Sequence, residues 1–169
     1  MKVTFVGAVK SAFVNFAKFR GVSSRAQYWY FVLFSVLLAA VLGTIEALIW
    51  PPIATEDVLE ALNQPTPLSN IAALVILSPT LAVTARRVQD AGWSGKWLFT
   101  LLLPMIPLVF GVIDAINYLE FVTVISDQDL LAVAGYFLPA LLIALAVQIF
   151  LLVLCLRPSK SADEGNRFA

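Results

Sequence analysis

Arg86, Arg87 and Asp90 are the densest group of chemically capable side chains in this 169-residue sequence. In a helix, Asp90 falls three and four residues after the arginines, within pairing distance of both. A guanidinium presents a planar fork that matches phosphate or carboxylate, so the choice of cation matters. With Arg25, Arg167, Trp97 and the turn Gly92, Trp93, Ser94, Gly95, the pattern points to a pocket for an anionic headgroup or a partner protein. The plainer reading of the same cations is topological anchoring, because they suit both a helix C-terminus and lipid phosphates.

Glu46 and Asp114 form a second group, two carboxylates near the ends of apolar stretches. Close to an interface they would be solvated at modest cost, and between helices they would make a cation or proton site. The remaining repertoire is narrow. Histidine is absent and cysteine occurs once, which removes His-based proton transfer, zinc centres built on His or paired Cys, and intramolecular disulfides. Cys155 reads as a small apolar filler. Ser94 and Lys96 stand in GWSGK, which is neither a nucleophile elbow nor a phosphate-binding loop. No enzyme, catalytic residue, cofactor or metal site is expected.

Composition says what must hold these groups in place. The chain is 60% hydrophobic and 13% charged, with a mean hydropathy of +0.90. Soluble domains average about 45–50% apolar and about 25% charged, so a water-soluble globule is excluded. Crossing a hydrocarbon core takes about 20 helical residues, and four stretches free of charge or nearly so supply them, at about 26–50, 68–85, 97–117 and 130–156. Ser24 with Gln27, and Ser126 with Asp129, have capping-box spacing at the starts of the first and fourth. Tyr28, Trp29 and Tyr30 at one end of the first span and Trp50 at the other form an aromatic belt. Pro51 and Pro158 stop the first and fourth spans, and Pro79, Pro104, Pro107 and Pro139 are expected to break helices within three of them.

All 11 Lys and Arg residues fall in segments 1–25, 86–96 and 157–169, on one side of a four-span topology. The positive-inside rule then places both termini in the cytoplasm, with 157–169 as a cytoplasmic tail. Residues 3–19 put Phe5, Val6, Val9, Phe13 and Phe16 near helical spacing, with lysines mostly opposite, as in an amphipathic helix lying on the inner membrane surface. Thr55 to Leu62 reads as a short capped helix in the first outer loop. Ser35, Ala39, Gly43 and Ala47, and likewise Ala140, Ala144 and Gln148, recur every four residues and permit close helix packing within or between subunits. The first 19 residues lack the uninterrupted apolar core of a cleavable signal peptide.

Three stretches are similar to the signatures of a bacterial family. Phe19 to Phe31 reads FRGVSSRAQYWYF, Pro79 to Trp97 reads PTLAVTARRVQDAGWSGKW, and Gly165 to Ala169 reads GNRFA. They resemble the motifs GRxSRxEYW, ARRLHDxGxSGWW and GxNRFG of the domain of unknown function 805 family. Val22, Gln27, Gln89 and Ala169 depart from them, so an activity requiring the motif His or Glu would be missing here. The resemblance implies a small bacterial inner-membrane protein, from a family without an established biochemical function.

The expected fold is therefore all-α integral membrane, one domain over residues 1–169 with four transmembrane helices, both termini inside and an N-terminal interfacial helix. The expected role is a non-enzymatic lipid- or protein-interaction module with a basic and aromatic cytoplasmic face. The partners are anionic lipid headgroups, another membrane protein or a second copy of the chain, and not nucleic acid. The alternative is an oligomeric small transporter or channel.

Overall fold

Helices α1 (Phe5–Val14), α2 (Arg25–Ile49), α3 (Pro67–Asp90), α4 (Met105–Glu120) and α5 (Asp127–Leu156) make up the secondary structure of the computed structural model, with 3₁₀ stretches at Gly95–Leu102 and Ala162–Glu164. The structure describes residues 3–51, 65–122 and 126–168. The Thr55–Leu62 segment lies outside them. Among the described residues there is no strand. Four stretches are long and apolar enough to cross a bilayer: Arg25–Ile49, Pro67–Asp90, Gly95–Glu120 and Gln128–Leu156. Their surfaces carry exposed Val36, Leu48, Leu74, Phe110 and Leu141, a burden that water would not tolerate and hydrocarbon does.

The helix starts form as their residue types require. Ser24 Oγ accepts from Gln27 N at 3.3 Å while Gln27 Oε1 accepts from Ser24 N at 3.1 Å, and Ser126 exchanges the same pair of bonds with Asp129. Each reciprocal pair satisfies two backbone or side-chain groups that would otherwise enter the membrane boundary unpaired.

The prolines behave differently from the expectation that each breaks its helix. Pro79 and Pro139 sit inside continuous α3 and α5. One missing backbone bond is a local loss, and in lipid the surrounding bonds have no water to exchange with, so the helix runs through. Pro104 does break the third span, whereas Pro107 sits in the first turn of α4. Neither can donate to the carbonyl four residues earlier, so Leu103 N takes Thr100 O at 3.0 Å and Ile106 N takes Leu103 O at 3.3 Å. These are 3₁₀ bonds, and the eight-residue 3₁₀ stretch that precedes α4 is long for its kind.

Two compact units emerge, residues 1–95 with 158–169, and residues 96–157. In the first, α1 packs on α2 and α3, and α2 on α3. Ala8 and Ala12 are buried there, Phe13 meets Phe31 and Phe34 edge-on at 6.0 and 5.9 Å, and Phe5 meets Tyr30 at 6.1 Å. The α1 helix is shorter than the 3–19 expected, and its inward face overlaps the expected one only in part, with Phe5, Val9 and Phe13 half-buried. Val6 is 73% exposed and Phe16 lies beyond the helix end, while the alanines turn inward. Small residues allow the close backbone approach that the larger ones would prevent.

In the second unit α4 packs on α5. Gly111 is the contact point, where an added Cβ would stand 2.6 Å from the carbonyl oxygen of Tyr136. Replacing Gly111 with Ala must push two backbones apart, and the expected cost is about 1–3 kcal/mol. Denaturant titration in micelles checks this, with Gly135→Ala as the comparison, since an added Cβ there meets nothing within 4 Å.

Candidate functional site

The three motif-bearing stretches meet at the C-terminal end of α3, and the first thing their residues do is finish that helix. Helix α3 continues to Asp90, five residues past the expected span end, so Arg86, Arg87 and Asp90 are helical. Its last carbonyls need donors. Gly92 N donates to Gln89 O at 2.9 Å and Trp93 N to Val88 O at 3.1 Å, the pair of bonds that defines a Schellman turn. That turn requires a left-handed residue, and Gly92 has φ +84°. The other two stretches also turn on a glycine in this region, Gly21 at φ +114° and Gly165 at φ +82°, which side chains with a Cβ rarely adopt.

The remaining carbonyls are closed from outside the helix. Ser23 N donates to Arg86 O at 3.2 Å and Lys160 N to Asp90 O at 2.9 Å. Asn166, buried in the closing motif, donates from Nδ2 to Gln89 O at 3.1 Å, to Lys160 O at 3.0 Å and to Asp90 O at 3.4 Å. Its Oδ1 accepts from Phe168 N at 3.0 Å. Gln89 brackets the opening stretch in turn. Its Nε2 donates to Phe19 O at 2.8 Å and its Oε1 accepts from Gly21 N at 3.0 Å.

Arg87 is the charged centre of this knot. It is fully buried, and Asp90 accepts from its guanidinium and from the Ser159 hydroxyl of the tail. Arg86 is 8% exposed. Its Nε donates to Ala82 O at 3.2 Å, and its Nη2 is buried with no hydrogen-bond partner among the described residues. Arg25 and Arg167 are exposed, the latter with its guanidinium 5.0 Å from the Phe168 ring centroid. Trp93 and Ser94 are half-buried in the turn after α3. The structure therefore brings Arg86, Arg87, Asp90, Trp93, Ser94, Arg25 and Arg167 into one unit, at or beside one helix end. Trp97 belongs to the other unit, with its ring centroid 5.2 Å from that of Phe150.

The two carboxylates have different surroundings. Glu46 is buried and acts as a borrowed cap for α3, whose own N-cap residue Thr66 makes no side-chain cap bond. Glu46 Oε1 accepts from Leu68 N at 2.6 Å and Ser69 N at 3.0 Å, and Oε2 accepts from the Ser69 hydroxyl. A carboxylate on the first backbone amides of a helix also meets the positive end of its dipole. Asp114 is exposed on α4. Among the described residues no group of three or more metal-ligating side chains occurs.

Gln89, Asn166 and Ser159 carry as much of this junction as the arginines, and none of them stood out as a candidate from sequence. The available signal was that Gln89 and Asn166 lie inside the family-like motifs. The capping by Glu46 had no local signal, because its partners stand more than twenty residues away.

The fold and junction define a helical membrane protein whose three sequence motifs are woven together at one helix end. The chain belongs to the family described as protein of unknown function (DUF805), which matches residues 16–168. It is 29% identical over 93 residues to the inner membrane protein YhaH of Escherichia coli strain K12, covering 54% of this chain and 69% of that protein. It is 28% identical over 96 residues to the inner membrane protein YhaI of the same strain, covering 57% of this chain and 71% of that protein. No solved structure matches.

Proposed function

We propose that this chain is a non-enzymatic membrane module whose basic face, turned to the cytoplasm with both termini, binds anionic lipid headgroups. The observation that carries the reading is the division of labour among cations in the first unit. Arg87 is neutralised inside the knot, whereas Arg20, Arg25, Lys160 and Arg167 are exposed. All four lie in segments hydrogen-bonded to the C-terminal end of α3 through Gly21, Ser23, Lys160 and Asn166. Lys10 and Lys18 add exposed charge nearby in sequence, beside the exposed apolar side chains of Phe16 and Phe19. Arg86, Arg87 and Asp90 then build the platform, and the outer cations make the contact.

Each cation near an anionic surface contributes about 1 kcal/mol. Changing Arg20, Arg25, Lys160 and Arg167 together to Gln is therefore expected to cut the enrichment of phosphatidylglycerol over phosphatidylcholine by about tenfold or more. Lipid mass spectrometry of the purified protein, with helicity confirmed, reads this. Undiminished enrichment would sink the proposal, and ion or solute flux in proteoliposomes of the wild type would favour a transporter instead.

A further inference from the structure

Two arginines stand side by side near the C-terminal end of α3, and only one of them has a counter-charge. Arg87 is bound by Asp90. Arg86 is 8% exposed; its Nε donates to Ala82 O at 3.2 Å, whereas its Nη2 is buried without a hydrogen-bond partner among the described residues. The carboxylates described in this unit are placed elsewhere. Asp90 accepts from Arg87 and Ser159, Glu46 from the first residues of α3, and Glu164 from Ser161, while Asp163 is exposed.

A guanidinium cannot give up its proton, and a buried charge left unpaired is strongly destabilising. The negative end of the α3 dipole offsets part of that charge but offers Nη2 no acceptor. The surroundings add charge of the same sign. Ser23 N donates to Arg86 O at 3.2 Å, which sets the opening stretch beside Arg86, and Arg20 and Arg25 on either side of Ser23 are exposed. An acceptor that satisfies Nη2 and suits this field is therefore an anion. The bond to Ala82 O lays the Arg86 side chain back along α3 by about one turn, in a span that ends at Asp90. The guanidinium thus sits at the membrane boundary, the level at which lipid phosphates lie.

We propose that Arg86 is the recognition group of a phosphate site, in which Nη2–H donates to an oxygen of a phosphate group and the bound charge neutralises the buried guanidinium. Arg86 keeps a margin of exposure, so the side chain reaches the edge of the unit, and the oxygen enters there. A lipid headgroup and free phosphate share this chemistry. The site deepens the headgroup reading and rests on it for the anionic character of the ligand: the exposed cations attract, and one buried fork selects.

The test is thermal unfolding of the full chain in dodecyl maltoside, followed by circular dichroism. One arm adds inorganic phosphate against sodium chloride at matched ionic strength, and the other adds phosphatidylglycerol against phosphatidylcholine. A ligand bound only by the folded state is expected to raise the midpoint by about 5 °C or more at a hundredfold excess over its dissociation constant. A rise in both arms means that any phosphate group is accepted, and a rise with phosphatidylglycerol alone identifies the lipid as the source. Arg86→Met puts an apolar chain in place of the buried cation, a change that is often neutral or stabilising, and is expected to lose the rise. Arg86→Gln, which keeps a donor for Ala82 O, is expected to lose it too. The protein with Arg20, Arg25, Lys160 and Arg167 changed to Gln retains Arg86 and should show the full rise at saturating ligand even as its lipid enrichment falls, so the surface reading and this site fail separately. No rise over the controls, an equal rise in a folded Arg86 variant, or loss of the rise in the four-Gln protein would each overturn the proposal.

Discussion

Replacing Asp90 with Ala is expected to destabilise the protein by about 3–5 kcal/mol, the cost of taking the carboxylate away from a buried guanidinium. Arg87 has no accessible surface, and its guanidinium is bound to the Asp90 carboxylate three residues on. Removing the carboxylate leaves a cation that can neither reach water nor lose its proton. It also takes away the acceptor of the Ser159 hydroxyl, one of the tethers of the tail, which leaves that side chain the bond it accepts from Arg87 Nη1 at 3.4 Å. Unfolding by sodium dodecyl sulfate in mixed micelles, followed by circular dichroism, measures the change. The informative comparison is the double variant Arg87→Leu with Asp90→Leu. Replacing both members of a buried ion pair with apolar residues is often neutral or stabilising, so this protein should recover most of the loss. A double variant as unstable as Asp90→Ala would show that the pair does more than neutralise itself, and would return Arg87 to consideration as a binding group.

The sequence made the helices readable and left their junctions unreadable, for one physical reason. Spans are written in runs of apolar residues about as long as a bilayer is thick, and Ser24, Gln27, Ser126 and Asp129 mark their starts through bonds made within three residues. Those signals are local. Glu46 capping α3 and Asn166 closing its other end are contacts between residues 22 to 77 positions apart, and nothing in either segment announces the other. Burial was misleading for the same reason. Arg86 and Arg87 at the end of an apolar run read as cations facing lipid phosphates, yet in the structure both are buried beneath segments of distant sequence.

The departure at Gln89 gains a meaning that spacing alone could not give. The resembling motif has His there, and a neutral imidazole has one donor and one acceptor. Gln89 uses one donor, to Phe19 O, and one acceptor, from Gly21 N. A His at this position has the same one donor and one acceptor to offer, so the exchange of His for Gln keeps the hydrogen-bonding groups that tie the opening stretch to α3.

Asn166→Ala should produce the second large effect, about 2–3 kcal/mol of stability together with release of the tail. The side chain is buried and donates to three carbonyls, two at the end of α3 and one in the tail, while accepting from Phe168 N. A buried polar group left unpaired costs about 1–3 kcal/mol, and the truncation strands more than one. Asp90 O keeps its bond from Lys160 N and Gln89 O keeps its bond from Gly92 N, which is why the expected loss stays below the sum of the broken bonds. The tail beyond Pro158 is held mainly by Lys160 N, Ser159 Oγ and Asn166. Removing the last of these should therefore expose residues 158–168 to trypsin at Lys160 and Arg167 at concentrations that leave the wild type intact. Asn166→Asp is the sharper control, because it keeps the shape and the acceptor for Phe168 N but replaces the donors with an acceptor facing carbonyls. It should cleave at least as fast as Asn166→Ala. If both variants resist trypsin as the wild type does, the tail is held by something other than the cap on α3, and the convergence of the three motifs loses its structural explanation.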